Sequence, residues 1–269
     1  MIIWAILAGY FAFTDLQISI AVVNEHSGWA NFLQNFGEIP GLLTLYSATL
    51  IFLASYRSTN KVKYYSLSLF IFLGGVYLLR HLSVIVYYGT TGGYSLVKDY
   101  KLYNYLFWFA INFLFYLLIK RISFPERARV YSIISVLLGL YGYLFLVQPI
   151  KQLWGRIRFR DLEPLYTNFT VWYIPNGING NQSFPSGHAA MGWMLLPLLI
   201  FAAGKKKWVQ FLLLTLITSW AIAVQLSRVV IGAHFASDVL FGGCIIIVVY
   251  LLLYKKYVLS DVNTFTQQH

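Results

Sequence analysis

Two histidines stand at fixed spacing from other polar residues in a chain that is otherwise largely apolar. His188 closes the run Pro185-Ser186-Gly187-His188, and His234 stands four residues before Asp238 in Ser227-Arg228-x5-His234-x3-Asp238. Upstream, Lys151-x6-Arg158 adds two cations, and Arg156 and Arg160 flank the second of them. An ionisable side chain in the middle of a spanning helix costs about 2.5–3.5 kcal/mol, so such residues in a membrane sequence are read first as functional. Their types point to one chemistry. Lys151, Arg156, Arg158, Arg160 and Arg228 bring five positive charges, and guanidinium forks match the oxygens of phosphate or carboxylate. Ser186 and Gly187 precede an expected helix start, where a hydroxyl and free backbone N–H groups favour an anion. His234 and Asp238 share a helix face, so the carboxylate can hold the imidazole in one tautomer and stabilise its cation. A multiply charged anion beside two histidines suits phosphoryl transfer, one histidine attacking phosphorus and the other protonating the leaving oxygen.

The elements that must position these groups follow from composition. The chain has 269 residues, 59% hydrophobic and only 11% charged, with a mean hydropathy of +0.66. Soluble domains carry roughly 25% charged residues, so the expected fold is an all-α, polytopic transmembrane helical bundle forming one domain over residues 1–269. Apolar runs of helix-spanning length predict eight spans, at about 2–22, 39–56, 64–86, 104–120, 130–150, 188–203, 208–226 and 234–254. The first is interrupted by Asp15 and Gln17. It runs to about 22, or alternatively ends near Thr14 with 15–24 as an interfacial helix; Asp15 would cap or anchor its outer end. The N-terminus has no basic leader region and reads as the first span itself. The lone Cys244 sits in an apolar run and offers neither a disulfide nor a thiol metal site.

Charge placement gives orientation. Arg57, Lys61, Lys63, Lys120, Arg121, Arg127, Arg129, Lys205, Lys206, Lys207, Lys255 and Lys256 all fall on one side of an eight-span chain, twelve of its twenty Lys and Arg. The positive-inside rule makes that side cytoplasmic. The net charge of +11 is then a topology signal with some attraction for anionic headgroups, and no nucleic-acid partner is expected. Counting spans places all three polar runs together on the opposite, extracytoplasmic face, most simply of the plasma membrane.

The three runs resemble the type 2 phosphatidic acid phosphatase superfamily, whose motifs are Lys-x6-Arg-Pro, Pro-Ser-Gly-His and Ser-Arg-x5-His-x3-Asp. The second and third match at every fixed position, and the first departs only at Phe159, where the family has proline. The resemblance covers about residues 130–255. It implies a six-helix phosphatase-type core, with His234 as a nucleophile forming a phosphohistidine, Asp238 orienting it and His188 as general acid. Lys151, Arg158, Ser186, Gly187 and Arg228 would hold the phosphate, with no metal and no cofactor. The partners implied are a lipid phosphate and the bilayer. The same site would serve a hydrolase acting on phosphatidic acid, undecaprenyl pyrophosphate or phosphatidylglycerol phosphate, or a lipid-linked phosphotransferase. A non-catalytic lipid-binding or transport protein would have no need of both histidines and Asp238. Arg156 and Arg160 are expected to contact a second phosphate or headgroup, or to be surface charges. Arg80, beside His81, is expected to reach a headgroup or to snorkel to the interface. The polar stretch 161–183 reads as a loop walling the site, with Trp172 and Tyr173 as interfacial anchors or acyl contacts. Lys98, Asp99 and Lys101 read as a solvated loop, and the tail after Lys256 as an exposed end.

Overall fold

The computed structural model describes residues 2–91 and 102–259; the expected Lys98–Lys101 loop and most of the tail lie outside them. Among the described residues the regular structure is all helical. Six stretches are long and apolar enough to cross a membrane: Ile2–Val22, Gly28–Ser55, Lys61–Thr91, Glu126–Asp161, Lys207–Val230 and Ala236–Leu259. Two shorter apolar stretches, Asn104–Ile119 and Gly187–Ala202, stand where the two remaining spans are expected. These apolar helices make the chain an integral membrane protein.

Local chemistry explains where the elements depart from the apolar runs. Helix α1 (Ile2–Val22) has the bounds of the expected first span, and the alternative end near Thr14 does not occur. The Asp15 carboxylate is buried and bonded to other chain segments, so it does not break the helix or mark its end. A helix that the hydropathy does not announce, α2 (Gly28–Phe36), leads through Gly37 and Glu38 into α3 (Ile39–Ser55), whose first turn carries Pro40, as helix starts favour. Next come α4 (Lys61–Thr91), α5 (Leu102–Ile119) and α6 (Glu126–Leu137). The chain then winds as a wider π-helix over Leu138–Val147 before α7 (Gln148–Trp154). Pro149 opens α7 and has no N–H to give the preceding turn, a place where helices loosen. The expected span 188–203 is broken. Helix α8 (Gly187–Trp193) gives way to a 3-10 turn at Leu196–Leu198 around Pro197 and then to α9 (Leu199–Ala202). The last two are α10 (Lys207–Val230) and α11 (Ala236–Tyr254).

Packing is organised around short α8, which contacts α10 on one side and α11 on the other, while α3 packs on α4 and α6. Leu42, Leu45, Ile134, Leu138, Met194 and Ile246 form the centre of the main core. In a bilayer, close helix approach depends on small residues. Gly41 of α3 lies directly on the Met191 carbonyl, and Gly242 of α11 directly on the Ser186 carbonyl. A Cβ at either glycine would collide with backbone, so these two positions fix α8 from both sides. Around the outside, Phe70, Leu73, Leu114, Leu118 and Leu216 remain exposed, as suits helices facing lipid.

Candidate functional site

The three polar runs converge at one end of the bundle, each placed by a local backbone device. Lys151 stands in the last turn of α7, which Gly155 closes in the left-handed region (φ 58°). Arg156 follows at once, and its carbonyl accepts from the Ser183 N–H at 3.0 Å, joining the first run to the second. Ser186 is extended and caps α8, its Oγ accepting from the Ala189 N–H at 3.4 Å. The Ser186 N–H in turn donates to the Asp238 carbonyl at 2.9 Å, joining the second run to the third. At the end of α10 the chain folds back through Gly232 (φ 66°), so that the N–H groups of Ala233 and His234 both donate to the Arg228 carbonyl. Asp238 closes the turn by accepting from the Phe235 N–H at 2.9 Å through Oδ2.

His234 is 1% exposed. Its Nδ1 lies 2.7 Å from the Ser183 carbonyl oxygen, which can only accept, so Nδ1 carries the hydrogen and Nε2 the lone pair. Asp238 Oδ2 is 3.7 Å from the same Nδ1. The tautomer is therefore fixed by a backbone carbonyl, with Asp238 adding charge at slightly longer range. His234 lies in the turn between α10 and α11, and burial pushes its pKa down to about 3 against the pull of Asp238. The ring is neutral at physiological pH.

Asp238 belongs to a buried network. It accepts from Ser183 Oγ at 2.6 Å and from Arg156 Nη1 at 2.6 Å. Arg156 is 0% exposed and donates also to Ser237 Oγ (2.8 Å), to Asp15 Oδ2 (3.0 Å) and, through Nε, to the Thr170 carbonyl (2.9 Å). Its guanidinium carbon lies 4.1 Å over the Phe235 ring. Asp15 accepts from both the N–H and the hydroxyl of Ser237. Arg156 is thus neither a surface charge nor a substrate contact, because its donors are committed inside the protein. Asp15 is not an outer anchor for α1 but the second carboxylate on this arginine.

The other motif cations face a common region. Lys151 Nζ lies 3.6 Å from where a side chain on Gly187 would begin, beside the Tyr143 hydroxyl at 3.4 Å. Arg158 and Arg228 both act electrostatically on Lys151. The Nε atoms of Arg158 and Arg228 are buried with no acceptor among the described residues, which leaves N–H donors for an anion. Arg160 is exposed, its Nε 4.0 Å from Asp161 Oδ1, and its charge is felt by both Arg158 and Arg228. Arg80 does not snorkel: it is 7% exposed on α4, with its guanidinium carbon 4.8 Å over the Tyr105 ring. Phe159, where the resemblance leads to proline, stacks on Tyr166 and meets Phe235 edge-on, so it joins the aromatic layer under Arg156. The loop at 161–183 does wall this region. Trp172 accepts from Trp154 Nε1 through its carbonyl at 2.6 Å and donates from its own Nε1 to the Ala8 carbonyl at 3.1 Å. Trp172 is therefore a tie to α1, while Tyr173 stays exposed.

Two residues that the sequence reading does not single out also enter the site. Glu38 places Oε1 3.1 Å from His188 Nδ1, and the Gln34 carbonyl oxygen lies 3.2 Å from His188 Nε2. The Gln34 side chain accepts from Arg228 Nη1 at 3.3 Å. The only advance signal was a carboxylate, Glu38, set between apolar runs in a chain with nine Asp and Glu in all.

Among the described residues no three His, Cys, Asp or Glu side chains gather in a way that could hold a metal ion. The arrangement offers a neutral buried imidazole with a free lone pair, a second imidazole, and a set of cationic and backbone donors. That set can bind a tetrahedral anion and accept a group from it.

A family model described as the PAP2 superfamily matches residues 129–260, which contain all three polar runs and both histidines. No curated protein and no solved structure matches the chain. At the level of the superfamily the match supports phosphatase-type activity on a lipid phosphate. The residues that carry the site, 129–260 with the motif runs folded together, are those that match the PAP2 superfamily.

Proposed function

We propose that the protein is a metal-independent lipid-phosphate phosphatase that cleaves a phosphomonoester or pyrophosphate of a membrane lipid through a phosphohistidine on His234. The observation that carries this reading is the fixed tautomer of His234, with Nδ1 hydrogen-bonded to the Ser183 carbonyl and Nε2 left as a base. Lys151, Arg158, Arg228, Ser186 and the first N–H groups of α8 hold the phosphoryl oxygens and offset the charge that spreads over them in transfer. His234 Nε2 attacks phosphorus as the P–O bond to the lipid breaks, and His188 gives its proton to the departing oxygen. Water then attacks phosphorus and its proton passes to His188. The P–N bond breaks, and its electron pair returns to Nε2. Asp238 stabilises the charge on His234 through both halves. The concentration of Lys and Arg at the far ends of the spans supports an extracytoplasmic site in the plasma membrane.

A phosphate-release assay with purified protein tests this reading, using phosphatidic acid, undecaprenyl pyrophosphate and phosphatidylglycerol phosphate, each with and without a chelator. Free phosphate from at least one lipid, unaffected by chelation, is the expected result. Loss of activity on chelation would remove the metal-independent mechanism. Adding an alcohol acceptor and finding phosphorylated acceptor in place of free phosphate would make the enzyme a phosphotransferase instead.

Arg160 has no buried commitment and stands electrostatically beside Arg158 and Arg228. It fits the second phosphate of a pyrophosphate lipid. An exposed ion pair is worth up to about 1 kcal/mol, so Arg160→Ala is expected to raise KM about fivefold for undecaprenyl pyrophosphate. KM for phosphatidic acid should stay close to wild type. Equal KM changes for both lipids would assign Arg160 no role in choosing between them.

A further inference from the structure

The acid histidine has a partner from outside the matched region. We propose that Glu38 is the positioning residue of His188, fixing which of its two ring nitrogens delivers the proton to the leaving oxygen; this rests on the phosphohistidine reading above. Glu38 stands at the junction of α2 and α3, about 90 residues before residues 129–260 begin, so none of the three motif runs contains it. It is 9% exposed.

The geometry sets the proton inventory. The Gln34 carbonyl 3.2 Å from His188 Nε2 can only accept, so Nε2 carries a hydrogen. Nδ1 faces the Glu38 carboxyl at 3.1 Å. Two lone pairs cannot face each other at that distance, so a proton lies between Nδ1 and Oε1. The loaded pair therefore holds two protons, one on Nε2 and one shared between Nδ1 and Oε1. When the leaving oxygen replaces the Gln34 carbonyl at Nε2, the P–O electron pair goes to that oxygen and the Nε2 proton follows. His188 is left neutral with its Nδ1 hydrogen on Glu38. Water attacking the phosphohistidine returns a proton to Nε2 and restores the starting state. Glu38 thus does for the acid histidine what the Ser183 carbonyl and Asp238 do for the other one.

The surroundings suit this role. Among the described residues, the titratable and charged groups that act on Glu38 come from five elements: His188 from α8, Lys151 from α7, Arg228 from α10, Tyr143 from the π-helical stretch and His81 from α4. His81 Nε2 lies 3.9 Å from the second carboxyl oxygen, a neighbour beyond hydrogen-bond distance, so His188 is the imidazole that Glu38 can bond. Lys151 and Arg228 bring positive charge to the carboxyl group that receives the Nδ1 hydrogen. An aligned carboxylate of this kind fixes tautomer and ring orientation.

General acid catalysis matters in proportion to the basicity of the leaving group, which separates this role from a structural one. The first-step rate should be measured in Glu38→Gln as the burst of released alcohol from phosphatidic acid and of nitrophenol from p-nitrophenyl phosphate. Phosphatidic acid leaves as a basic alkoxide and needs the proton; nitrophenolate does not. The expected result is a loss of about 100-fold with phosphatidic acid, in the range general acids supply, and a rate close to wild type with p-nitrophenyl phosphate. Glu38→Asp, which keeps the carboxylate at shorter reach, should recover part of the loss with phosphatidic acid alone. Equal loss on both substrates, or loss on neither, overturns the assignment. His234→Ala run in parallel separates the two levels. If that variant still turns over either substrate, the phosphohistidine reading fails. If it is dead on both while Glu38→Gln shows no leaving-group split, only the role of Glu38 fails.

Discussion

His234→Ala is expected to lower phosphate release by about 10⁴-fold or more, the scale of losing a catalytic nucleophile, while the helix bundle stays folded. Among the described residues, neither His188 nor Ser186 offers an equivalent atom. His188 has both ring nitrogens facing oxygens, Nδ1 towards Glu38 and Nε2 towards the Gln34 carbonyl. Ser186 Oγ accepts from the Ala189 N–H as the cap of α8. His234 Nε2 is different because Nδ1 is tied to Ser183 and burial keeps the ring neutral from about pH 3 upwards. The lone pair is therefore available through the whole neutral range, and an acid limb of activity between pH 5 and 8 would belong to another group. Alanine leaves the Ser183 carbonyl without its donor inside a buried site, which costs about 1–3 kcal/mol. His234→Asn, whose side-chain amide can still donate there, should be more stable and equally inactive. With substrate labelled on phosphorus, the wild type should retain an acid-labile label on quenching and both variants none. Activity near wild type in either variant would end the mechanism.

How much of this the sequence discloses depends on the range of the interaction. The apolar runs are local, and all eight expected spans correspond to apolar helical stretches, although α8 and α9 divide one of them at Pro197. Pro185–His188 and Ser227–Asp238 are also local, and their internal spacing carries their grouping. Contacts between distant segments are another matter. Glu38 meets His188, and Asp15 meets Arg156 and Ser237, across most of the chain, and no periodicity reports that. Asp15 was nonetheless within reach of a physical argument. A carboxylate inside an apolar helix is costly unless paired, so continuity of α1 required a buried cation, and Arg156 is that cation. Reading Asp15 as a cap or outer anchor and Arg156 as a surface or substrate charge missed the same ion pair from both ends. Phe159 shows the opposite limit. Its packing against Tyr166 and Phe235 is plain in three dimensions but has no signature in a motif that leads to proline.

Arg156→Met should be the most destabilising substitution in the polar network, by about 3–5 kcal/mol, the cost of removing one partner from a buried ion pair. It removes the counter-charge of two buried carboxylates at once, Asp15 at 2% and Asp238 at 0% exposure, which keep only hydroxyl and backbone donors, and it leaves the Thr170 carbonyl without its partner. For a chain of this length that corresponds to a fall in Tm of about 10 °C, readable by intrinsic tryptophan fluorescence in detergent. Asp15→Asn should cost much less, because Arg156 then keeps Asp238 as its sole counterion and the network loses its excess negative charge. In a double-mutant cycle the two substitutions should couple strongly, since they remove the same contact. Arg156→Lys should fall between them: one ammonium keeps the charge but cannot span Asp15, Asp238 and Thr170 as the planar fork does. If Arg156 instead touched substrate, the Met variant would raise KM and leave Tm where it was. The buried geometry leads to the reverse order, with Tm falling first and activity following it. The link runs through Asp238: without the guanidinium nothing balances its charge beside Asp15, and the carboxylate that supports His234 loses its fixed position. Helix α1, which lies outside the matched residues, is thereby fastened to the catalytic end of the bundle through Asp15, by Arg156 and Ser237 together.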